Sequence, residues 1–199
     1  MHKLKYLGIA LLFISISSFK VDDLPPGFTD LLTRSQMTFT SPEEYTEVPF
    51  VKNGQMNYEY ALKNHTKTFE VRYTVRPLDS LLKKFETMEK NKQPGDVNLS
   101  PNKFYYPAFI AIMTNIAGGK PMGRINEFDK TSVKNEFNAD WGAINICEPV
   151  GEFGKGYKFC VGVALHKDNI GDAYYFYLTD NREDFQTLMP TIFHVLKFK

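Results

Sequence analysis

The residues able to do chemistry are few and widely spaced. The chain carries four histidines, His2, His65, His166 and His194, and two cysteines, Cys147 and Cys160. No histidine pair has ligand spacing, and there is no HExxH, GxSxG or CxxC motif. Two thiols alone are too few ligands for a structural zinc site, so neither a metal nor a cofactor is expected. A cysteine–histidine nucleophile would need a free thiol. One polar cluster is conceivable: Asp140 with His166 and Asp168, beside Trp141. These four are the candidate binding residues. His166 ends an apolar run and is followed by Lys167 and Asp168, so the group reads either as solvated turn residues or as a site. Trp141 reads either as core or as an amphipathic anchor at a sheet end, and Gly142 next to it would permit close packing. His65 falls in a turn, where exposure is the simpler expectation. The glycines of 151–156, GEFGKG, have neither phosphate-loop nor dinucleotide spacing, and no helical pattern follows. They are expected to make a tight turn.

Strands must position these candidates. In residues 141–150, Ile144, Ile146 and Val150 alternate with Asn145, Cys147 and Pro149, the period of two that a strand requires. In 157–166, Phe159, Val161, Val163 and Leu165 share one face, and Cys160, Gly162 and Ala164 the other. In 173–179, Tyr174, Phe176 and Leu178 oppose Tyr175 and Tyr177. Apolar or small residues on both faces mark strands covered on both sides, which calls for helices above and below the sheet. If the first hairpin is symmetric about its glycine turn, Cys147 sits opposite Cys160. Opposed residues of antiparallel strands have Cα atoms about 4.5–5.5 Å apart, within disulfide reach.

Compartment decides whether that bond forms. His2, Lys3 and Lys5 precede an apolar run over 6–16, and Ser15-Ile16-Ser17 supplies small residues for a cleavage site. The run is shorter than the roughly 20 residues that span a bilayer. Residues 1–17 are therefore expected to be a signal peptide, and the mature chain to be periplasmic or secreted, with no transmembrane segment. In an oxidising compartment Cys147 and Cys160 are expected to pair, the alternative being two buried, reduced cysteines. Loss of Lys3 and Lys5 removes two positive charges and turns the formal net charge from +1 to −1. A near-neutral chain without a basic block gives no footprint for nucleic acid or an anionic membrane.

Residues 18–36, with Pro25-Pro26-Gly27, are expected to form an N-terminal arm, and 37–199 a single domain. A short β segment over 37–50 precedes a hairpin, with Tyr58, Tyr60 and Leu62 on the same face as Phe69, Val71, Tyr73 and Val75. A four-residue turn at 64–67 would place Tyr60 opposite Val71, and Glu59 opposite Arg72 on an exposed face. A helical insertion is expected over about 78–120. Its first helix carries a stripe of Leu78, Leu81, Leu82, Phe85 and Met88. Its second opens at Ser100-Pro101 and carries Phe104, Ala108, Phe109, Ile112 and Ile116. A third short helix is expected over 132–137. A last helix, carrying Phe185, Leu188, Met189, Ile192 and Val195, is expected to bend at Pro190.

Hairpin, helices, three-stranded meander, terminal helix: this order resembles the Mog1/PsbP-like fold. The residues that carry the resemblance are the hairpin over 58–75, Ala139-Asp140-Trp141-Gly142, the aromatic strand over 173–178 and the closing 185–198 segment. It implies an α+β, α/β/α sandwich with a mainly antiparallel central sheet and a C-terminal helix packed across it. Members of this fold are mostly binding or assembly factors, and fold alone licenses no function, so no catalytic residue is carried over. Two functions are expected to compete. One is an exported, non-enzymatic module for an envelope protein or small ligand. The other is a hydrolase-type enzyme using Asp140, His166 and Asp168.

Overall fold

A computed structural model describes residues 24–199, so the expected signal peptide lies outside the described residues. Seven strands form one antiparallel sheet: β2 (Tyr45–Glu47), β3 (Tyr60–Asn64), β4 (Phe69–Pro77), β5 (Asn126–Glu127), β6 (Trp141–Cys147), β7 (Phe159–Lys167) and β8 (Gly171–Thr179). Their order across the sheet is β2-β3-β4-β8-β7-β6-β5. β8 lies in the middle and is buried at every position, as its two apolar faces demand. The helices are α1 (Pro26–Arg34), α2 (Asp79–Lys90), α3 (Tyr105–Ile116), α4 (Lys130–Phe137), α5 (Gly151–Gly154), α6 (Asp184–Thr187) and α7 (Met189–Ile192). They cover both faces, so the chain has the expected α+β sandwich architecture.

Alternation divides the core in two. Tyr73 and Val75 of β4, Tyr175 and Tyr177 of β8, and Val161 and Val163 of β7 face α1, α4 and α7. Phe176 and Leu178, with Cys160 and Ala164, face α3 and α5. Two glycines allow the helices to seat closely. A Cβ on Gly162 would stand 2.3 Å from Met113 Sδ of α3, and one on Gly142 would stand 2.7 Å from Val133 Cγ2 of α4. Asp129 caps α4, accepting from the N–H groups of Thr131 and Ser132 at 3.0 Å each.

Several expectations need correction. The 18–36 arm contains α1, whose Phe28 and Leu32 are buried in the core. The last helix is two four-residue pieces, α6 and α7, divided beside Pro190, which has no N–H for a continuous ladder. The chain then runs into β9 (Leu196–Phe198), which pairs with β1 (Met37–Phe39).

The hairpin register is two residues away from the expected one, Tyr60 lying opposite Tyr73 and Leu62 opposite Val71. A shift of two preserves the faces but changes the charge partners. Glu59 bonds Arg76 at 2.7 Å, whereas Arg72 is only 2% exposed. Arg72 donates to Glu70 at 2.6 Å and to the Phe153 carbonyl at 2.7 Å, and it lies over the rings of Tyr58 and Phe153. Glu70 also accepts from the Tyr157 hydroxyl at 2.5 Å. The expected exposed Glu59–Arg72 pair is thus replaced by a buried ion pair between Arg72 and Glu70.

Cys147 and Cys160 are cross-strand partners in the expected register, but both are free thiols here and no disulfide joins them. The hydrogen bond between them holds the Cys147 thiol below its ordinary value, while burial pushes Cys160 well above it.

Candidate functional site

At one end of β6, β7 and β8, the structure brings together all four sequence-predicted residues. Trp141 pairs with His166 across β6 and β7. The Trp141 ring is half-buried, 4.7 Å from the Tyr105 ring of α3, and its Nε1 donates to Glu127 at 3.0 Å. It therefore acts as an anchor beneath the start of α3. His166 is only 1% exposed, not a solvated turn residue. Its Nδ1 bonds Asp172 at 2.6 Å, its Nε2 bonds Asp168 at 3.0 Å, and its ring stacks on Tyr105 at 4.2 Å. Asp140 accepts from the Asp168 N–H at 3.0 Å and from Lys134 at 3.1 Å.

Burial works to lower the His166 pKa, but hydrogen bonds and charge from Asp172 and Asp168 outweigh it, and the net shift is upward. Both ring nitrogens are engaged by carboxylates. The imidazole thus has no free nitrogen to take a proton from a substrate, and its geometry is that of a clamp holding α3 to the sheet. Nearby, Asn102 and Asn169 tie the turn before α3 to the β7–β8 turn through two hydrogen bonds of 2.8 and 3.0 Å.

The clamp borders a larger feature that sequence reasoning missed. Asp172, on the far side of His166, reaches the floor of a cleft of about 920 Å³ between α2 and α3. Arg76 and Tyr174 share that floor. Leu81, Phe85 and Met88 of α2 form one wall, and Phe104, Ala108 and Ile112 with Leu99 form the other. These are the two apolar stripes expected for the insertion, but they do not close on each other. No residue of α2 is buried.

Local bonding explains the gap. α2 is held at its first turn: the Leu78 N–H donates to the Ile170 carbonyl at 3.0 Å, and Arg34 grips Asp79 with bonds of 2.8 and 2.7 Å. That grip holds the Asp79 carboxyl below its ordinary value. α3, by contrast, buries Phe109, Met113 and Ile116 along its length.

The cleft itself is mostly apolar. Its size is within the roughly 300–1,000 Å³ of small-molecule sites, and an apolar wall with a few polar groups is their usual composition. Among the described residues lining it there is no serine, cysteine or histidine. Burial raises the Tyr174 hydroxyl far above its ordinary value, so it keeps its proton and can only donate or accept hydrogen bonds. Among the described residues, no group of three or more His, Cys, Asp and Glu side chains is set to hold a metal ion, and no helix is long and apolar enough to cross a membrane.

Neither a protein-family model nor a curated protein matches the chain. Among solved structures, it is similar to the solution structure of cyanobacterial PsbP (CyanoP) from Synechocystis sp. PCC 6803, over 84% of this chain and 89% of that one, with 12% identity and a TM-score of 0.43. No residue's role is transferred by that likeness.

Proposed function

We propose that this chain is an exported, non-enzymatic binding protein that holds a small apolar ligand in the cleft between α2 and α3. Export rests on the apolar leader read in the sequence. Binding rests on one observation above all: the large apolar side chains left exposed are concentrated on the cleft insertion. Among the described residues, Leu81, Met88, Val97, Leu99, Phe104, Tyr106 and Ile110 are exposed there, against Phe50 and Ile146 elsewhere. Leu81 is 53% and Leu99 63% exposed, although both line the cleft. Apolar surface gathered in one place marks a site to be covered. The hydrolase alternative has less to work with, because His166 is enclosed by carboxylates and reaches the cleft only through Asp172.

Filling the cleft tests the reading. Ala108→Trp should abolish binding of an environment-sensitive apolar dye while far-ultraviolet circular dichroism stays unchanged. Ile110→Trp, on the same helix but outside the lining, should retain binding. Equal binding by both variants would remove the cleft from consideration.

A further inference from the structure

The charges on the cleft wall deepen that binding reading, on which this inference rests, by naming the chemistry of the ligand. Three charged side chains line the cleft: Arg76, Lys84 and Asp172. Arg76 is held by Glu59 at 2.7 Å and by the Asn57 carbonyl at 3.2 Å. Asp172 is held by His166 at 2.6 Å. Each of these charges already has an opposite charge within bonding distance. Lys84 has no hydrogen bond or ion pair within the described chain and is exposed. The uncompensated charge of the cleft is therefore positive and stands on α2.

Its place on the helix matters as much as its sign. Lys84 follows Leu81 by three residues and precedes Met88 by four, so all three share one face, and all three line the cleft. A lysine so placed lays its stem along apolar surface and presents its ammonium at the rim. A wholly apolar ligand entering there would leave that exposed ammonium without a counter-charge. An anionic group on the same ligand would supply one. A cationic one would add repulsion.

We propose that the cleft takes an amphiphilic anion, a long-chain carboxylate, with its hydrocarbon tail between α2 and α3 and its carboxylate on Lys84. The cleft volume of about 920 Å³ accommodates a ligand of that class.

The test uses the mature chain and monomeric ligands below their micelle concentrations. Decanoate, dodecanoate, dodecanol and dodecyltrimethylammonium compete for a bound apolar dye. Dodecanoate should bind about tenfold more tightly than decanoate, because two methylenes more are buried. It should bind about fivefold more tightly than dodecanol, the worth of one exposed ion pair, and the ammonium should be weakest. Lys84→Gln should bring dodecanoate down to the level of dodecanol and leave dodecanol unchanged. An unaltered thermal midpoint would show that the variant folds. Equal affinity for dodecanoate and dodecanol, or no effect of Lys84→Gln on dodecanoate, would overturn the anion assignment and leave the apolar cleft standing. Binding to phosphatidylglycerol vesicles without binding to monomeric dodecanoate would also overturn it, in favour of an anionic membrane surface. Failure of every chain compound to displace the dye would refute the cleft as the ligand site and the inference with it.

Discussion

The two faces of the central sheet are covered in opposite ways. On one, aromatic side chains fill the space completely: Phe69, Tyr73, Tyr175 and Tyr177 are buried beneath α1, α4 and the terminal segment. Packing there is close enough to trap the hydroxyls of Tyr73 and Tyr177 without a hydrogen-bond partner. On the other, small residues such as Cys160, Gly162 and Ala164 let α3 sink onto the sheet, while α2 touches the molecule mainly at its first turn. One face spends its apolar surface on folding. The other keeps a stripe in reserve, and that reserve is the proposed binding site.

The comparison breaks most readily by truncation. Phe69→Ala on the closed face should cost about 3–5 kcal/mol, the range for deleting a buried aromatic ring. Leu81→Ala and Phe85→Ala on α2 should stay within about 1 kcal/mol, because little packing is lost. Urea unfolding of the three variants measures both, and similar losses would mean that α2 is part of the core. Arg72→Ala should be nearly as damaging as Phe69→Ala, about 3 kcal/mol or more, because Glu70 would remain buried without its partner. The double variant Arg72→Met with Glu70→Gln should recover much of that loss, and failure to recover would show that the ion pair itself is needed for folding.

A smaller effect is expected through pH. The folded-state pKa of His166 lies above its ordinary value of 6.5. The stabilisation is therefore complete below 6.5 and fades as pH rises through the folded-state value. Denaturant titrations across that window should show the wild type losing stability relative to His166→Gln, and parallel curves would remove the charged clamp from the account. Smallest of all is Tyr177→Phe, which removes an unpartnered hydroxyl. It should leave stability unchanged or raise it by up to about 1 kcal/mol, and a clear loss would reveal an unrecognised hydrogen bond.

How much of this was legible in the sequence depends on the range of the interaction. Strand alternation assigned the faces of β7 and β8, and turn symmetry placed Cys147 against Cys160, because both are local rules. The same reasoning missed the hairpin register by two residues: the four-residue turn lies at 65–68, one residue later than the assumed 64–67, and Asn64 at its entrance accepts from the N–H groups of Thr66 and Lys67. Arg72 looked exposed because a charged residue in alternation normally is, and nothing local announced Glu70, Tyr157 and the Phe153 carbonyl. Asp172 could have been found. The tight turn at 168–170 sets His166 opposite it, as the β7–β8 pairing shows. The cleft could not, since both of its stripes were visible but the gap between two helices is a tertiary fact.

The most direct test of the cleft as a ligand site is a map of backbone amide chemical shifts in isotope-labelled protein titrated with monomeric dodecanoate. The account predicts saturable changes confined to residues 53–57, 76–88, 99–112 and 172–174, which surround the cleft. The closed face around Phe69 and Tyr177 should stay silent. Absence of saturable change, or changes centred on that closed face, would contradict it.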